Sequence, residues 1–137
     1  MYTIDPSPGS FAEAVARLPA DTPVVMLNLL AFREQAEYDE ADSVEPCTGR
    51  EAYQHYSREA LHHVQAVGGQ VVFMGAPQYA LVAPADEHWD EVLLVRYPSI
   101  QAFVAMVKAP EYQAIARHRT AALYNARLVA MLEHPGR

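Results

Sequence analysis

The chain has 137 residues, of which 51% are apolar and 20% charged, as in one globular domain rather than a disordered or fibrous protein. The formal net charge of -7 argues against a nucleic-acid partner, because phosphate binding needs clustered basic residues. A single cysteine, Cys47, excludes an internal disulfide and fits a reducing compartment. Without a signal-peptide pattern or an apolar run long enough to span a bilayer, we expect a cytoplasmic protein with no membrane partner.

Residues 1–22 predict a helical extension ahead of the main domain. Ser10 followed by Glu13 matches a capping box, in which each side chain accepts a hydrogen bond from the other residue's backbone N–H. Apolar residues then recur at helical spacing until Pro19 ends the run. Residues 24–30 (VVMLNLL) are almost continuously apolar, which is typical of a central strand covered on both faces.

Residues 31–48 predict a long acidic loop, because they contain six Asp and Glu side chains. Loops of more than about 15 residues in a compact domain are usually lids, binding loops or disordered segments. This segment is therefore either a solvated insertion, which is the simpler interpretation, or a lid over a pocket.

The rest of the chain alternates helices and strands. Thr48 and Glu51 form a second capping box, which opens a helix that runs to Val67 and stops at Gly68. Strands are expected at 70–74, 91–97 and 127–132, with 79–82 as an extension of the first or a separate edge piece. Helices are expected from Ser99 and over 111–123, with Pro110 in the first turn of the second and Asn125 as a left-handed cap.

Residues 23–132 therefore predict an α+β fold of the ferredoxin-like type, β-α-β-β-α-β, with a four-stranded antiparallel sheet. We expect right-handed crossovers to place strands 24–30 and 91–97 side by side in the same direction, with Asn28 and Arg96 at one end of the sheet. Two helices cover only one face of such a sheet, and the other face is apolar here. A second copy of the chain is the simplest cover, which predicts a homodimer.

Residues 24–30, 89–99 (WDEVLLVRYPS) and 110–119 (PEYQAIARHR) resemble the uncharacterised family called domain of unknown function 1330. The likeness covers most of residues 23–132. It implies a ferredoxin-like subunit paired into a dimeric α+β barrel. The wider superfamily includes cofactor-free oxygenases, isomerases and haem-handling enzymes. No settled activity belongs to the family itself, so the resemblance assigns no catalytic residue.

Arg119 is the clearest anomaly in the predicted core. It shares one helical stripe with Tyr112 and with apolar residues, so its side chain should point inward. An unpaired buried charge costs several kcal/mol, and Arg119 must therefore have a partner. Either it pairs with Asp90 or Glu91 or extends outward along the helix, or it clamps the carboxylate or enolate of a small ligand.

Three other polar side chains lie on or near apolar faces. Tyr56 and His63 are two helical turns apart at the edge of a buried stripe, where a phenol and a base could face the sheet. Core packing with satisfied polar tips is the simpler explanation for both. Asn28 is the only polar residue of its strand, so its amide either ties down the acidic loop or contacts a ligand.

The sequence predicts no metal site and no cofactor. His55, Glu59 and His62 share a helical face, but that face lies opposite the apolar stripe and is expected to be solvated. His118 is also expected off the buried stripe. Cys47 lies in an acidic loop, which disfavours a thiolate, and no glycine-rich loop precedes a helix to hold phosphate.

Two functions fit these patterns. In the first, a small organic anion binds between helices and sheet, contacted by Asn28, Arg96, Tyr112 and Arg119. Tyr56 and His63 would then be catalytic, in a cofactor-free isomerase or oxygenase. In the second, the protein is a non-catalytic dimeric ligand-binding or structural module. A cavity of at least ~300 Å³ reaching Arg119 favours the first function over a packed interior.

Overall fold

A computed structural model describes residues 1–134 of the chain. In chain order the helices and strands are α1 (Ser10–Arg17), β1 (Val24–Phe32), α2 (Gly49–Ala66), β2 (Gln70–Gly75), β3 (Glu91–Tyr97), α3 (Ile100–Lys108), α4 (Pro110–Ala122) and β4 (Leu123–Met131). The predicted α+β class and the order of the core elements are confirmed. No helix in this part of the chain combines the length and apolarity needed to cross a bilayer.

The strands form one sheet in the order β2-β3-β1-β4, and every neighbouring pair is antiparallel. The expectation that strands 24–30 and 91–97 run in the same direction was wrong. The crossover through α2 makes β1 and β2 parallel, with β3 inserted between them in the opposite direction. Arg96 therefore lies across from Val25, whereas Asn28 lies across from Leu93. Because side chains alternate along a strand, Asn28 and Arg96 project from opposite faces.

Of the two capping boxes, only the second is confirmed. Thr48 Oγ1 accepts from the Glu51 N–H at 3.1 Å, and the Thr48 N–H donates to Glu51 Oε1 at 2.9 Å. In α1, Gly9 is the N-cap with φ of +79°, no side chain caps the helix, and Ser10 is already helical. The chain turns into α1 through a left-handed residue, a conformation that glycine adopts without steric cost.

Other local predictions have mixed outcomes. Gly68 has φ of +84° just after α2, and Pro110 is the first residue of α4, as expected. Asn125 is not a left-handed cap, because β4 begins at Leu123 and Asn125 is buried within that strand. Residues 79–82 are exposed coil rather than a strand.

The two faces of the sheet differ in what covers them. On the inner face, Val24, Met26 and Leu30 are buried in core clusters beneath the helices. The other face carries Leu27 in register with Leu94 and Val129, and no helix of the described chain packs on it. The inner face is therefore where an internal site can form.

Candidate functional site

A cavity of about 1170 Å³ lies between the helices and the inner face of the sheet. The sheet contributes apolar side chains, among them Met26, Leu93 and Val95, while the four helices and the segment before α1 supply the other walls. Small-molecule sites commonly have volumes of roughly 300–1,000 Å³, so the space is sufficient for an organic ligand. A minority of polar groups interrupts the apolar lining.

Two tyrosine hydroxyls form one of these polar groups. Tyr56 of α2 and Tyr112 of α4 both border the cavity, and their hydroxyl oxygens are 2.5 Å apart. Burial raises the pKa of Tyr56 well above its usual value, nearby Tyr112 raises it further, and Arg119 opposes the rise. Tyr56 therefore keeps its proton at neutral pH. Because one hydroxyl donates to the other, one proton of the pair is left for the oxygen of a ligand.

Arg119 also lines the cavity, with 12% of its side chain exposed. Its Nη1 donates to the Ile4 carbonyl at 2.8 Å and lies 3.5 Å from Asp5 Oδ1. The expected pairing with Asp90 or Glu91 was wrong, because the N-terminal segment reaches Arg119 instead. Within residues 1–134, no acceptor takes a hydrogen bond from Nε or Nη2. The guanidinium therefore keeps donors for a ligand.

Asn28 lies on the cavity floor, in the middle of β1. Its Nδ2 donates to the carbonyls of Leu93 at 3.3 Å and Met26 at 3.4 Å. Both distances are long for N–H···O bonds, so the amide is held only weakly by its own sheet. It has no hydrogen bond to the acidic loop within the described part of the chain.

The structure does not bring Arg96 or His63 to the cavity wall. Arg96 projects from the opposite face and pairs with Glu133. His63 packs edge-on against the Tyr112 ring, with centroids 6.1 Å apart, but does not line the cavity. Four of the six predicted site residues share the cavity wall: Asn28, Tyr56, Tyr112 and Arg119.

The acidic loop lies elsewhere, and its interpretation as a lid was wrong. Tyr38 bonds His118 Nδ1 at 2.6 Å, Arg117 lies 3.2 Å from Asp42, and the Glu37 N–H donates to the Ala121 carbonyl at 2.9 Å. These contacts hold the loop against α4, and none of its residues lines the cavity. The segment before α1 borders the cavity instead.

His118 is buried, contrary to the sequence expectation, with 7% of its surface exposed. Its ring packs against His55 at 4.3 Å and Tyr38 at 5.4 Å between centroids. Burial is the main cause that lowers the pKa of His118. The periodicity of α4 could not reveal this, because the covering side chain comes from a distant loop.

Sequence reasoning also missed Asp5, which reaches Arg119 from outside the predicted core. An acid that precedes a Pro-Ser-Pro-Gly stretch carries no local sign of a contact more than 110 residues away. Thr120 Oγ1 donates to Asp5 Oδ1 at 3.0 Å and holds the carboxylate beside Arg119.

Comparison with known proteins bears on both fold and family. The family model for Domain of unknown function (DUF1330) matches residues 42–132. The crystal structure of a protein of unknown function from Rhodopseudomonas palustris is 36% identical with a TM-score of 0.90, and the match covers 99% of this chain and 100% of that chain. None of the curated proteins matches the sequence.

More distant structures share only the fold. A dimeric protein of unknown function with a ferredoxin-like fold from Bacteroides fragilis is 13% identical, with a TM-score of 0.50 over 84% of this chain and 100% of that one. A hydroxynitrile lyase from Passiflora edulis is 8% identical, with a TM-score of 0.53 over 85% and 97%. The chain has a ferredoxin-like α+β fold and belongs to the DUF1330 family.

Proposed function

We propose that this protein binds a small, largely apolar organic acid in the cavity between its helices and its sheet. The observation that carries the proposal is a space of about 1170 Å³ with apolar walls, into which Arg119 and the Tyr56–Tyr112 hydroxyl pair bring hydrogen-bond donors. A guanidinium with free donors suits a carboxylate, because its planar fork can donate two parallel bonds. The hydroxyl pair and Asn28 would orient the rest of the molecule.

The polar groups also limit the chemistry that we propose. Arg119 and a protonated tyrosine stabilise negative charge on oxygen, in a carboxylate or in an enolate. Cofactor-free isomerisation or oxygenation through an enolate is the catalytic form of the proposal. Such a reaction needs a base, and His63 would have to act through Tyr112, against which its ring packs.

One observation favours the alternative, a non-catalytic ligand-binding module. The carboxylate on the cavity wall, Asp5, is engaged by Arg119 and Thr120. No histidine lines the cavity within the described residues, so no free base adjoins the donors. We therefore place binding ahead of turnover. Reproducible turnover of a bound acid by the purified protein, lost in Arg119→Gln, would reverse that order.

The test of binding uses one acid and its neutral isostere. Wild-type protein should bind 4-phenylbutyrate in a calorimetric titration and 4-phenylbutyramide more weakly. Arg119→Gln should weaken binding of the acid at least tenfold, because a charge-assisted pair with a largely buried guanidinium contributes on the order of 1.5–3 kcal/mol. Arg58→Gln is the control, since exposed Arg58 borders the same cavity and carries the same charge. Equal binding of acid and amide, or equal loss in both variants, contradicts the proposal.

We also propose that a second copy of the chain covers the outer face of the sheet. Leu27, Leu94 and Val129 lie in register there. Leu81 and Val82, in the connection between β2 and β3, are 88% and 96% exposed. An apolar surface of this kind is uncommon on a monomer in water.

The homodimer can be tested by light scattering on the purified protein. Wild type should have twice the chain mass, and Leu94→Lys should reduce the mass toward that of a monomer. Ala105→Lys is the control, because Ala105 is exposed on α3, away from the sheet face. A monomeric wild type, or a dimer insensitive to Leu94→Lys, contradicts the proposal.

A further inference from the structure

We propose that Asp5 is a built-in competitor for Arg119, so that the N-terminal segment sets how tightly the cavity holds an organic acid. This inference rests on the proposed function and names a determinant of its specificity. Residues 1–41 lie outside the family match, which begins at residue 42, so the competitor is supplied by a part of the chain that the match does not include.

The segment is anchored at its start along the edge strand β4. The Ala126 N–H donates to the Thr3 carbonyl at 2.6 Å, and Thr3 Oγ1 donates to the Ala126 carbonyl at 2.6 Å. The Thr3 N–H donates to Asn125 Oδ1 at 3.1 Å, which satisfies that buried amide oxygen. Arg127 Nη1 also donates hydrogen bonds to Thr3 Oγ1 and to Asn125 Oδ1. Residue 3 is thereby fixed beside β4.

The segment is anchored again at α1, where Phe11 packs against Phe103 with ring centroids 6.1 Å apart. Between the two anchors, Ile4, Asp5, Pro6, Ser7 and Ser10 border the cavity. Among the described residues, the side chains of Arg119 and Thr120 hold this stretch by hydrogen bonds to the Asp5 carboxylate and the Ile4 carbonyl. The segment can therefore move away from Arg119 at Asp5 while its contacts at Thr3 and Phe11 stay in place.

Asp5 offers Arg119 the same chemical group that the proposed ligand would offer. Its carboxylate is 3.5 Å from Nη1, and the Thr120 hydroxyl orients it at 3.0 Å. An internal carboxylate has a high effective concentration at the guanidinium, because its chain is tethered at both ends. The Asp5 side chain is 54% exposed, however, so the pair is partly screened by water. A ligand acid that enters the apolar-walled cavity meets a cation already partly neutralised.

The test compares wild type with Asp5→Asn, using 4-phenylbutyrate and 4-phenylbutyramide in calorimetric titrations. Asp5→Asn should bind the acid roughly two- to fivefold more tightly, the scale of a partly exposed ion pair, and should leave binding of the amide unchanged. Thr120→Val keeps every charge but removes the hydroxyl that holds the Asp5 carboxylate beside Arg119. It should therefore strengthen binding of the acid by a smaller factor than Asp5→Asn does, and leave binding of the amide unchanged.

The outcomes separate this inference from the proposed function. If wild type binds the acid through Arg119 and Asp5→Asn binds acid and amide with unchanged affinities, the competition is overturned and the site survives. If Asp5→Asn improves both probes equally, the segment acts as a steric wall only, and the competition is again overturned. If neither protein binds either probe, both proposals fail together.

Discussion

Helix α4 takes part in two polar pairs of similar geometry in different surroundings. On the cavity side, Tyr112 meets Tyr56 at 2.5 Å beside a large empty volume. On the outer side, His118 meets Tyr38 at 2.6 Å beneath the acidic loop. Neither residue lines the large cavity, and Tyr38 borders a smaller space of about 270 Å³. A short hydrogen bond between partly buried polar groups therefore does not identify a site. The size of the cavity beside the first pair does, because an organic ligand needs room as well as donors.

The outer region of the molecule, around the acidic loop, should tolerate little change, since its groups are packed and bonded to one another. Gly49→Ala should have the largest effect, about 3 kcal/mol of unfolding free energy, because an added Cβ would lie 2.2 Å from the Arg33 carbonyl and 2.6 Å from that of Ala122. Backbone atoms at these positions cannot rotate away. Gly75→Ala is the control, where the new Cβ meets only the half-exposed Phe73 ring. Equal denaturation midpoints for the two variants contradict this picture.

His118→Leu should cost about 2 kcal/mol in chemical denaturation, because it leaves the Tyr38 hydroxyl without its partner beneath the loop. The same change in exposed His62, His62→Leu, should cost much less. A His118→Leu variant as stable as wild type would mean that the loop is held by its other contacts.

The stability should also depend on pH through His118. Burial, with His55 and Arg117, lowers its pKa in the folded state, while Asp42 and Glu59 act in the opposite direction. As pH falls through the ordinary histidine value near 6.5, the unfolded chain binds the proton first. The contribution of His118 is therefore present above that pH and lost below it. Thermal unfolding from pH 7.5 to 5 should show a smaller decline in His118→Leu than in wild type.

Removing one hydroxyl from each pair contrasts the two regions directly. Tyr38→Phe should cost about 1–2 kcal/mol, since His118 Nδ1 loses its partner in a packed setting. Tyr112→Phe should cost less than about 1 kcal/mol, because the Tyr56 hydroxyl adjoins open space in the cavity and can turn to another partner. A larger loss in Tyr112→Phe would show that the cavity side is the more tightly bonded region.

The smallest effect concerns the two helix starts. Thr48→Ala, where the acidic loop enters α2, should cost about 1 kcal/mol because it removes a cap that is formed. Ser10→Ala should change stability by only a few tenths of a kcal/mol, since Ser10 caps nothing in α1. Equal losses of stability in the two variants would show that the Ser10 hydroxyl caps α1 in solution, which contradicts the structure.

Much of the fold could be predicted because its signals are local. The apolar run of β1, the cap at Thr48, the stop at Gly68 and the start at Pro110 each depend on a few neighbouring residues. The prediction of a cap at Ser10 failed because its neighbour Gly9 adopts a φ of +79° and becomes the N-cap. Ser10 is then the first residue of the helix and cannot cap it.

The candidate site was predictable only in part. Helical spacing correctly put Tyr56, Tyr112 and Arg119 on inward faces, and the pattern of β1 singled out Asn28. The prediction for Arg96 was wrong because it assumed that β1 and β3 are parallel. In the antiparallel pair Arg96 lies opposite Val25 instead of near Asn28, and the strand direction depends on the crossover connection. Asp5 and Tyr38 were not foreseen as partners of Arg119 and His118, since each contact joins segments at least 80 residues apart.

The order of amino acids alone determined where β1, α2 and α4 form and that Tyr56, Tyr112 and Arg119 turn inward, because those preferences arise within a few residues of backbone. Only tertiary structure decided that one polar pair borders the large cavity while the other lies beneath the acidic loop, and that an N-terminal acid, rather than Asp90 or Glu91, meets Arg119. Packing between distant segments controls such outcomes, and it leaves no periodic trace along the chain.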